Sequence, residues 1–279
     1  MTAIRLQPRL IAKPWGRRGL PAPYYVENGE NVGEVIFDNP DGATSALLLK
    51  LLFTSEKLSV QVHPDDQAAQ ARGHARGKDE AWLILDAEPG ASIAFGLRAP
   101  LNRAGLREAA LDGSIEHLLD WRRVNAGDVL YSPAGTIHAI GPGLGLVEIQ
   151  QNLDLTYRLY DYGRPRPLQL DEAVAVADLG PAPDTVAPQL LAPGHVRLAG
   201  GPAFQVERVD GPAAGRLVAS GDQPLWLLPL AGAGLLDDGP LVPLTALRLD
   251  SDAALSLVAG AQVIVAYAGG DRRAVWLPA

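Results

Sequence analysis

The chain has 279 residues, of which 47% are hydrophobic and 20% charged, a composition typical of a folded globular protein. Its formal net charge of −8 argues against nucleic acid as a partner, because a phosphate backbone is bound by a basic surface. Cysteine is absent, so disulfides and cysteine-ligated zinc sites are excluded.

The amino-terminal stretch MTAIRLQPRLIAKPWG lacks the apolar core of a signal peptide, and no uncharged apolar run reaches the ~18 residues of a membrane span. We therefore expect a cytoplasmic protein with no membrane partner. The sequence does not determine its oligomeric state.

The first strong apolar run is ALLLKLLF, residues 46–53, which is flanked by turn residues and predicts a buried strand. Lys50 interrupts this run. Two interpretations stay open: its ammonium extends to solvent near a strand end, or it points into a polar cavity.

The next strand, LSVQVH, alternates apolar and polar residues with the period of a half-buried strand, so Gln61 and His63 lie on one face. Glu80 lies on a second strand-like run, GKDEAWLILDAE, and shares a face with Trp82 and Ile84. His138 follows a Pro-x-Gly turn before a third strand. Two imidazoles, a carboxylate and an amide oxygen suit a catalytic Zn²⁺ with an open position, although Mn, Co and Fe accept the same ligands.

Residues 97–122 change to helical spacing, with Asn102 and Ser114 as predicted N-caps. The segment 147–162, VEIQQNLDLTYRLYDY, is strand-like. Residues 180–193 are rich in Pro and Ala and are interpreted as a linker or surface connection. Short strands follow to residue 276. The chain therefore divides into a metal-binding domain at 1–179, with a helical insertion at about 97–122, and a metal-free β domain at 180–279.

The spacing G-x₅-P-x-G-x₂-H, which ends at His138, resembles the second motif of the cupin superfamily. Four segments together resemble one cupin family, the type I mannose-6-phosphate isomerases, and are closest to its short bacterial members. The resemblance runs from about Pro14 to Arg164, and the segments are LSVQVHPDD, GKDEAW, SPAGTIHAIG and EIQQNLDLTYRLYDY.

This resemblance implies a jelly-roll, cupin-like fold for the first unit, whereas the chain from about residue 180 on carries no motif of the family. From this and the short strands of that second part, we predict an all-β protein of two jelly-roll, cupin-like units. The resemblance also implies one Zn²⁺ per chain and a sugar phosphate substrate. The implied reaction interconverts mannose 6-phosphate and fructose 6-phosphate through an enediol. The implied zinc ligands are Gln61, His63, Glu80 and His138. The implied active-site residues are Lys50, Lys78, Glu148 and Arg158.

The sequence leaves alternatives open. Either Glu148 or a metal-bound water could be the general base, and no cation is assigned to the phosphate. Another sugar phosphate could be the substrate, or the chain could be a non-catalytic, sugar-binding metal cupin. GEVIF at 33–37 departs from the family's Gly-Glu-x-Trp, which puts a role for Glu34 in doubt. His74, His117 and His195 are interpreted as structural or exposed.

Overall fold

The computed structural model describes residues 3–25 and 29–279. Its strands and helices confirm the predicted all-β fold with few helices. The strands before residue 161 are β1 (Ala3–Arg5), β2 (Gln7–Arg17), β3 (Val32–Asp38), β4 (Leu47–Phe53), β5 (Val60–Val62), β6 (Glu80–Ala87), β7 (Ser92–Leu97), β8 (Leu119–Arg123), β9 (Val129–Ser132), β10 (His138–Ile140), β11 (Leu144–Gln151) and β12 (Tyr157–Tyr160).

The later strands are β13 (Gln189–Ala192), β14 (His195–Gly200), β15 (Phe204–Asp210), β16 (Ala213–Leu217), β17 (Leu225–Ala231), β18 (Gly234–Leu236), β19 (Gly239–Pro240), β20 (Leu247–Leu249), β21 (Ala253–Leu257), β22 (Gln262–Ala268) and β23 (Trp276–Pro278). The helices are α1 (Asp66–Gln70), α2 (Arg103–Asp112), α3 (Ile115–Leu118) and α4 (Leu170–Val176). Among the described residues, no helix has the length and apolar character needed to traverse a lipid bilayer.

The strands form four antiparallel sheets. The first pair consists of a six-stranded sheet, β2-β3-β4-β11-β6-β9, and a five-stranded sheet, β12-β5-β10-β7-β8. The second pair consists of a seven-stranded sheet, β1-β20-β17-β22-β15-β14-β13, and a five-stranded sheet, β19-β18-β21-β16-β23. Each pair buries its own apolar side chains between its two sheets, as jelly-roll units do.

A further apolar core joins the two pairs. It packs Leu49 and Val147 of the six-stranded sheet with Phe204 and Trp226 of the seven-stranded sheet. The six-stranded sheet is thus buried on both faces, which explains the near-continuous apolar run of β4.

The domain boundary near residue 180 stays a prediction. β1 lies in the seven-stranded sheet, paired with β20, although it begins the described chain.

The helical insertion is shorter than its sequence pattern. Asn102 caps α2 as predicted, accepting a hydrogen bond from the Gly105 amide at 2.8 Å, whereas the Ser114 side chain makes no capping bond to α3. The sequence predicts helical spacing to about residue 122, but α3 ends at Leu118. Residues 119–123 instead pair with β7 as strand β8. The predicted linker likewise contains a strand, β13.

Candidate metal centre and adjoining pocket

Three of the predicted ligands meet between the first two sheets. His63 directly follows β5, Glu80 begins β6 and His138 begins β10. His63 Nε2 lies 3.3 Å from Glu80 Oε1, and His138 Nε2 lies 3.5 Å from Glu80 Oε2. One ligand atom from each residue falls within 4.8 Å of the others, and all three side chains are buried. This spacing allows all three to bind a single cation.

The fourth predicted ligand, Gln61, lies beside this group. Gln61 and His138 are directly paired in the β5–β10 ladder, and Gln61 Nε2 lies 3.2 Å from His138 Nε2. The Ser59 hydroxyl donates to Gln61 Oε1 at 3.1 Å. The alternating pattern that predicted Gln61 and His63 on one face therefore agrees with the structure, in which both lie beside His138.

Hydrogen bonds to the backbone fix the tautomer of both imidazoles. His63 Nδ1 lies 3.0 Å from the Leu155 carbonyl oxygen, and His138 Nδ1 lies 3.0 Å from the Thr136 carbonyl oxygen. A carbonyl only accepts, so each Nδ1 carries the proton and donates it. Each Nε2 then presents its lone pair toward Glu80, as in histidines that bind metals.

Burial and neighbouring charges set the protonation states that a metal needs. Burial, with a smaller contribution from Lys78, lowers the pKa of His63 to about 3, and burial lowers the pKa of His138. Burial raises the pKa of Glu80, but the positive charge of Lys78 opposes burial, and the pKa lies well below its ordinary value. At neutral pH both imidazoles are therefore neutral and the carboxyl is ionised.

The carboxylate of Glu80 is short of hydrogen bonds. Lys78 Nζ lies 2.8 Å from Oε1, so charge is compensated on one side. Within the described chain, however, neither oxygen has a hydrogen-bond partner in favourable geometry. A buried carboxylate normally fills its acceptor positions, so this group has coordination capacity available for a cation.

A pocket of about 550 Å³ adjoins the group and is lined by Gln61 and Lys78. Lys50 and Glu148 are directly paired in the β4–β11 ladder, line the pocket and form a salt bridge of 3.1 Å. Of the two interpretations of Lys50, the structure supports the second: its side chain points into a polar cavity.

The charges around Lys50 and Glu148 shift both pKa values upward. Burial lowers the pKa of Lys50, but the carboxylates of Glu148, Glu34 and Glu80 outweigh burial and raise it. Burial raises the pKa of Glu148, against the opposing charge of Lys50. Glu148 is therefore a carboxyl whose proton affinity is moved toward neutral pH.

Arg158 faces the same pocket from β12, where its register partner is Gln61. Its Nε is buried and has no hydrogen-bond partner among the described residues. Burial and the nearby charge of Arg166 lower its pKa. The guanidinium is thus available to bind an oxygen-rich ligand.

Sequence reasoning missed a second ion pair in the pocket wall. Lys13 Nζ lies 3.3 Å from Glu34 Oε1, and both residues line the pocket. The signal was the alternation of β2 and β3, which are paired so that Ile11 lies opposite Glu34.

His195 is buried, as expected of a structural histidine. Its Nε2 lies 2.6 Å from the carboxylate of Glu207, which is also buried and which the sequence did not single out.

Comparison with known proteins agrees with the motifs. No family model matches the chain. It is 38% identical to the mannose-6-phosphate isomerase of Streptococcus mutans over 170 residues, covering 58% of this chain and 52% of that protein. It is also 38% identical to the mannose-6-phosphate isomerase ManA of Bacillus subtilis over 156 residues, covering 53% of this chain and 49% of that protein. These matches span about half the length of the curated relatives.

The fold comparison extends over nearly the whole chain. The crystal structure of the mannose 6-phosphate isomerase from Bacillus subtilis superposes with a TM-score of 0.79 at 27% identity, covering 95% of this chain and 99% of that one. The chain resembles the mannose-6-phosphate isomerases in both sequence and fold. A zinc-bound mannose 6-phosphate isomerase, at 14% identity and a TM-score of 0.74, covers 96% of this chain and 100% of its own, and it shares the fold.

Proposed function

We propose that the chain is a zinc-dependent aldose–ketose isomerase that interconverts mannose 6-phosphate and fructose 6-phosphate. The observation that carries the proposal is the buried group of His63, Glu80 and His138 beside a pocket whose wall holds paired acid and base side chains. Its place in a chain similar to mannose-6-phosphate isomerases supplies the substrate.

One Zn²⁺ fits the donor set. The two Nε2 lone pairs and the ionised carboxylate of Glu80 supply three ligands, and a half-turn of the Gln61 amide would present its oxygen as the fourth. When bound there, zinc supplies a positive charge that stabilises the negative charge developing on the sugar oxygens.

Proton transfer between C1 and C2 is assigned to Glu148. Its carboxylate would take the proton from C2 of the aldose and return it to C1, while the hydroxyl proton of O2 passes to O1, so that the reaction runs through a cis-enediol. The raised pKa suits this role, because a general base works best when its pKa approaches the operating pH. Lys50, 3.1 Å away, holds the carboxylate in place and keeps it ionised between turnovers.

Arg158 and Lys78 are assigned to the substrate oxygens. Both line the pocket, and Arg158 brings a guanidinium whose Nε has no protein partner in the described chain. Donors fixed before the reaction stabilise an enediolate more than water does, because they need no reorganisation. A merely sugar-binding protein would have no need for this combination of acid, base and cations.

A coupled assay for fructose 6-phosphate, formed from mannose 6-phosphate by the zinc-loaded protein, tests the proposal. We expect turnover of ~1–10³ s⁻¹. Turnover only with another phosphorylated aldose would correct the substrate. Stoichiometric zinc without turnover on any sugar phosphate would instead indicate a non-catalytic metal cupin. Cytoplasmic location and the absence of nucleic-acid and membrane partners stay predictions of the sequence.

A further inference from the structure

Asp79 precedes Glu80 in the chain, and its carboxylate points away from the pocket. Successive side chains of a strand point to opposite faces, so Glu80 faces the pocket while Asp79 shares the other side with Ala81. Ala81 belongs to the apolar core between the six-stranded and the seven-stranded sheet. Asp79 is buried there, in a position that no proposed catalytic step uses.

Two hydrogen bonds connect Asp79 to the chain around His138. Asp79 Oδ1 accepts from the Ala134 amide at 2.8 Å, within the turn that leads to His138. Asp79 Oδ2 accepts from the Tyr131 hydroxyl at 2.7 Å. One carboxylate thus joins the residue beside Glu80 to the turn that precedes His138.

Tyr131 in turn lies against the seven-stranded sheet. Its ring centroid is 5.0 Å from that of Phe204, at an interplanar angle of 41°. Gly201 approaches the ring so closely that a β-carbon at this position would overlap it. The turn at 201–204 therefore fixes where the Tyr131 hydroxyl lies.

We infer that this turn positions the metal ligands Glu80 and His138 through Tyr131 and Asp79. The inference rests on the proposed metal site. The seven-stranded sheet thereby contributes to the metal site, although its turn at 201–204 has no residue in the pocket lining. Its contribution is to keep the two proposed ligands at a fixed separation. Groups that orient metal ligands through hydrogen bonds typically change metal affinity ~10–100-fold when they are removed.

The competing explanation is that the network only stabilises the fold, and the chain offers a matched control. The Tyr267 hydroxyl donates to the buried carboxylate of Glu207, also at 2.7 Å, but lies within the core of the second pair of sheets. Tyr131→Phe and Tyr267→Phe therefore remove the same kind of bond, and only the first bond connects to the ligands.

A second matched pair tests the glycine. Gly201→Ala displaces the Tyr131 ring, whereas a β-carbon at Gly221 would meet no atom within 4 Å. Neither glycine has a left-handed backbone, so the added methyl group is the relevant change in both.

The experiment measures the zinc dissociation constant of the full chain by chelator competition, the visible absorption of the cobalt-substituted protein and the urea unfolding of the metal-free protein. We expect Tyr131→Phe and Gly201→Ala to weaken zinc binding about 10-fold and to shift the cobalt bands. Tyr267→Phe and Gly221→Ala should leave zinc binding and the cobalt spectrum unchanged, even where Tyr267→Phe lowers stability.

Zinc affinities within twofold of wild type in both Tyr131→Phe and Gly201→Ala would overturn the inference. A double-mutant cycle examines the route: after Asp79→Ala, the change Tyr131→Phe should weaken zinc binding no further. Additive losses would show that Tyr131 does not act through Asp79. Failure of wild-type protein to bind one zinc would remove the metal site itself, whereas zinc binding without isomerase turnover would contradict only the proposed reaction.

Discussion

Glu148 combines three properties in one side chain: it is buried, it has a raised pKa and it lies 3.1 Å from Lys50. As the proposed general base, it should be indispensable for proton transfer but not for metal binding. We expect Glu148→Gln to lower kcat by ~10²–10⁴-fold while the protein still binds one zinc. Steady-state kinetics and metal analysis of the same preparation measure both quantities.

Glu34→Gln is the matched control for this substitution, because Glu34 is a pocket carboxylate that pairs with a different lysine, Lys13. Its kcat should remain within about tenfold of wild type. If Glu148→Gln and Glu34→Gln lowered kcat equally, the loss would reflect the charge of the pocket, and the assignment of Glu148 as the base would be wrong.

Arg158 supports a second prediction at the same scale. Its guanidinium has a buried Nε without a protein partner in the described chain, so its bonding capacity is directed to a ligand. We expect Arg158→Ala to lower kcat by ~10²-fold with zinc content unchanged, because loss of one positioned donor to a developing oxyanion costs about that much. Arg158→Lys, which keeps the charge, should recover part of kcat. Full activity in the alanine variant would exclude the role.

The two residues predicted as helix caps behave differently at the scale of the element. Asn102 accepts from the Gly105 amide, whereas Ser114 has helical backbone angles and makes no such bond. Asn102→Ala should therefore lower the free energy of unfolding by ~1 kcal/mol, and Ser114→Ala by less than ~0.5 kcal/mol. Urea titrations at a fixed zinc concentration compare the two, and equal losses would contradict the capping assignment.

Elements with a clear period could be predicted from sequence, and elements fixed by distant pairing could not. The alternation of β5 correctly placed Gln61 near His63, and β4 is the predicted buried strand. Residues 119–123 carry a helical pattern but form β8, because β7 offers a hydrogen-bonding edge that no local window contains. The same limit applies to Lys50, whose partner Glu148 is 98 positions away in sequence yet adjacent in the ladder.

The candidate site divides in the same way at the scale of the whole molecule. The meeting of His63, Glu80 and His138 could be predicted, since metal chemistry restricts candidate ligands to a few residue types in recognisable segments. The support behind them could not, because Asp79 bonds to Tyr131, and Tyr131 packs against a turn some 70 residues later. The shared core of the two sheet pairs likewise brings together residues as distant in sequence as Leu49 and Trp226.

The buried imidazoles make the stability of the metal-free molecule depend on pH. In the unfolded chain a histidine binds a proton near pH 6.5, whereas in the folded chain the pKa of His63 is about 3 and that of His138 is also lowered. Between these values the unfolded state binds more protons, so stability falls as pH falls. From His63 alone we expect a loss of ~2 kcal/mol between pH 7.5 and pH 5.

Urea unfolding in the presence of a chelator, at several pH values, measures this loss. His63→Gln should flatten the dependence over the same range, because the unfolded variant no longer takes up that proton, while a substitution at His74, which lies outside the group of His63, Glu80 and His138, should leave the slope unchanged. Zinc should oppose the loss, since it binds only the deprotonated imidazoles of the folded state. A free energy of unfolding that stayed level or rose on acidification would mean that His63 is not held neutral by burial, and its proposed role as a ligand would lose this support.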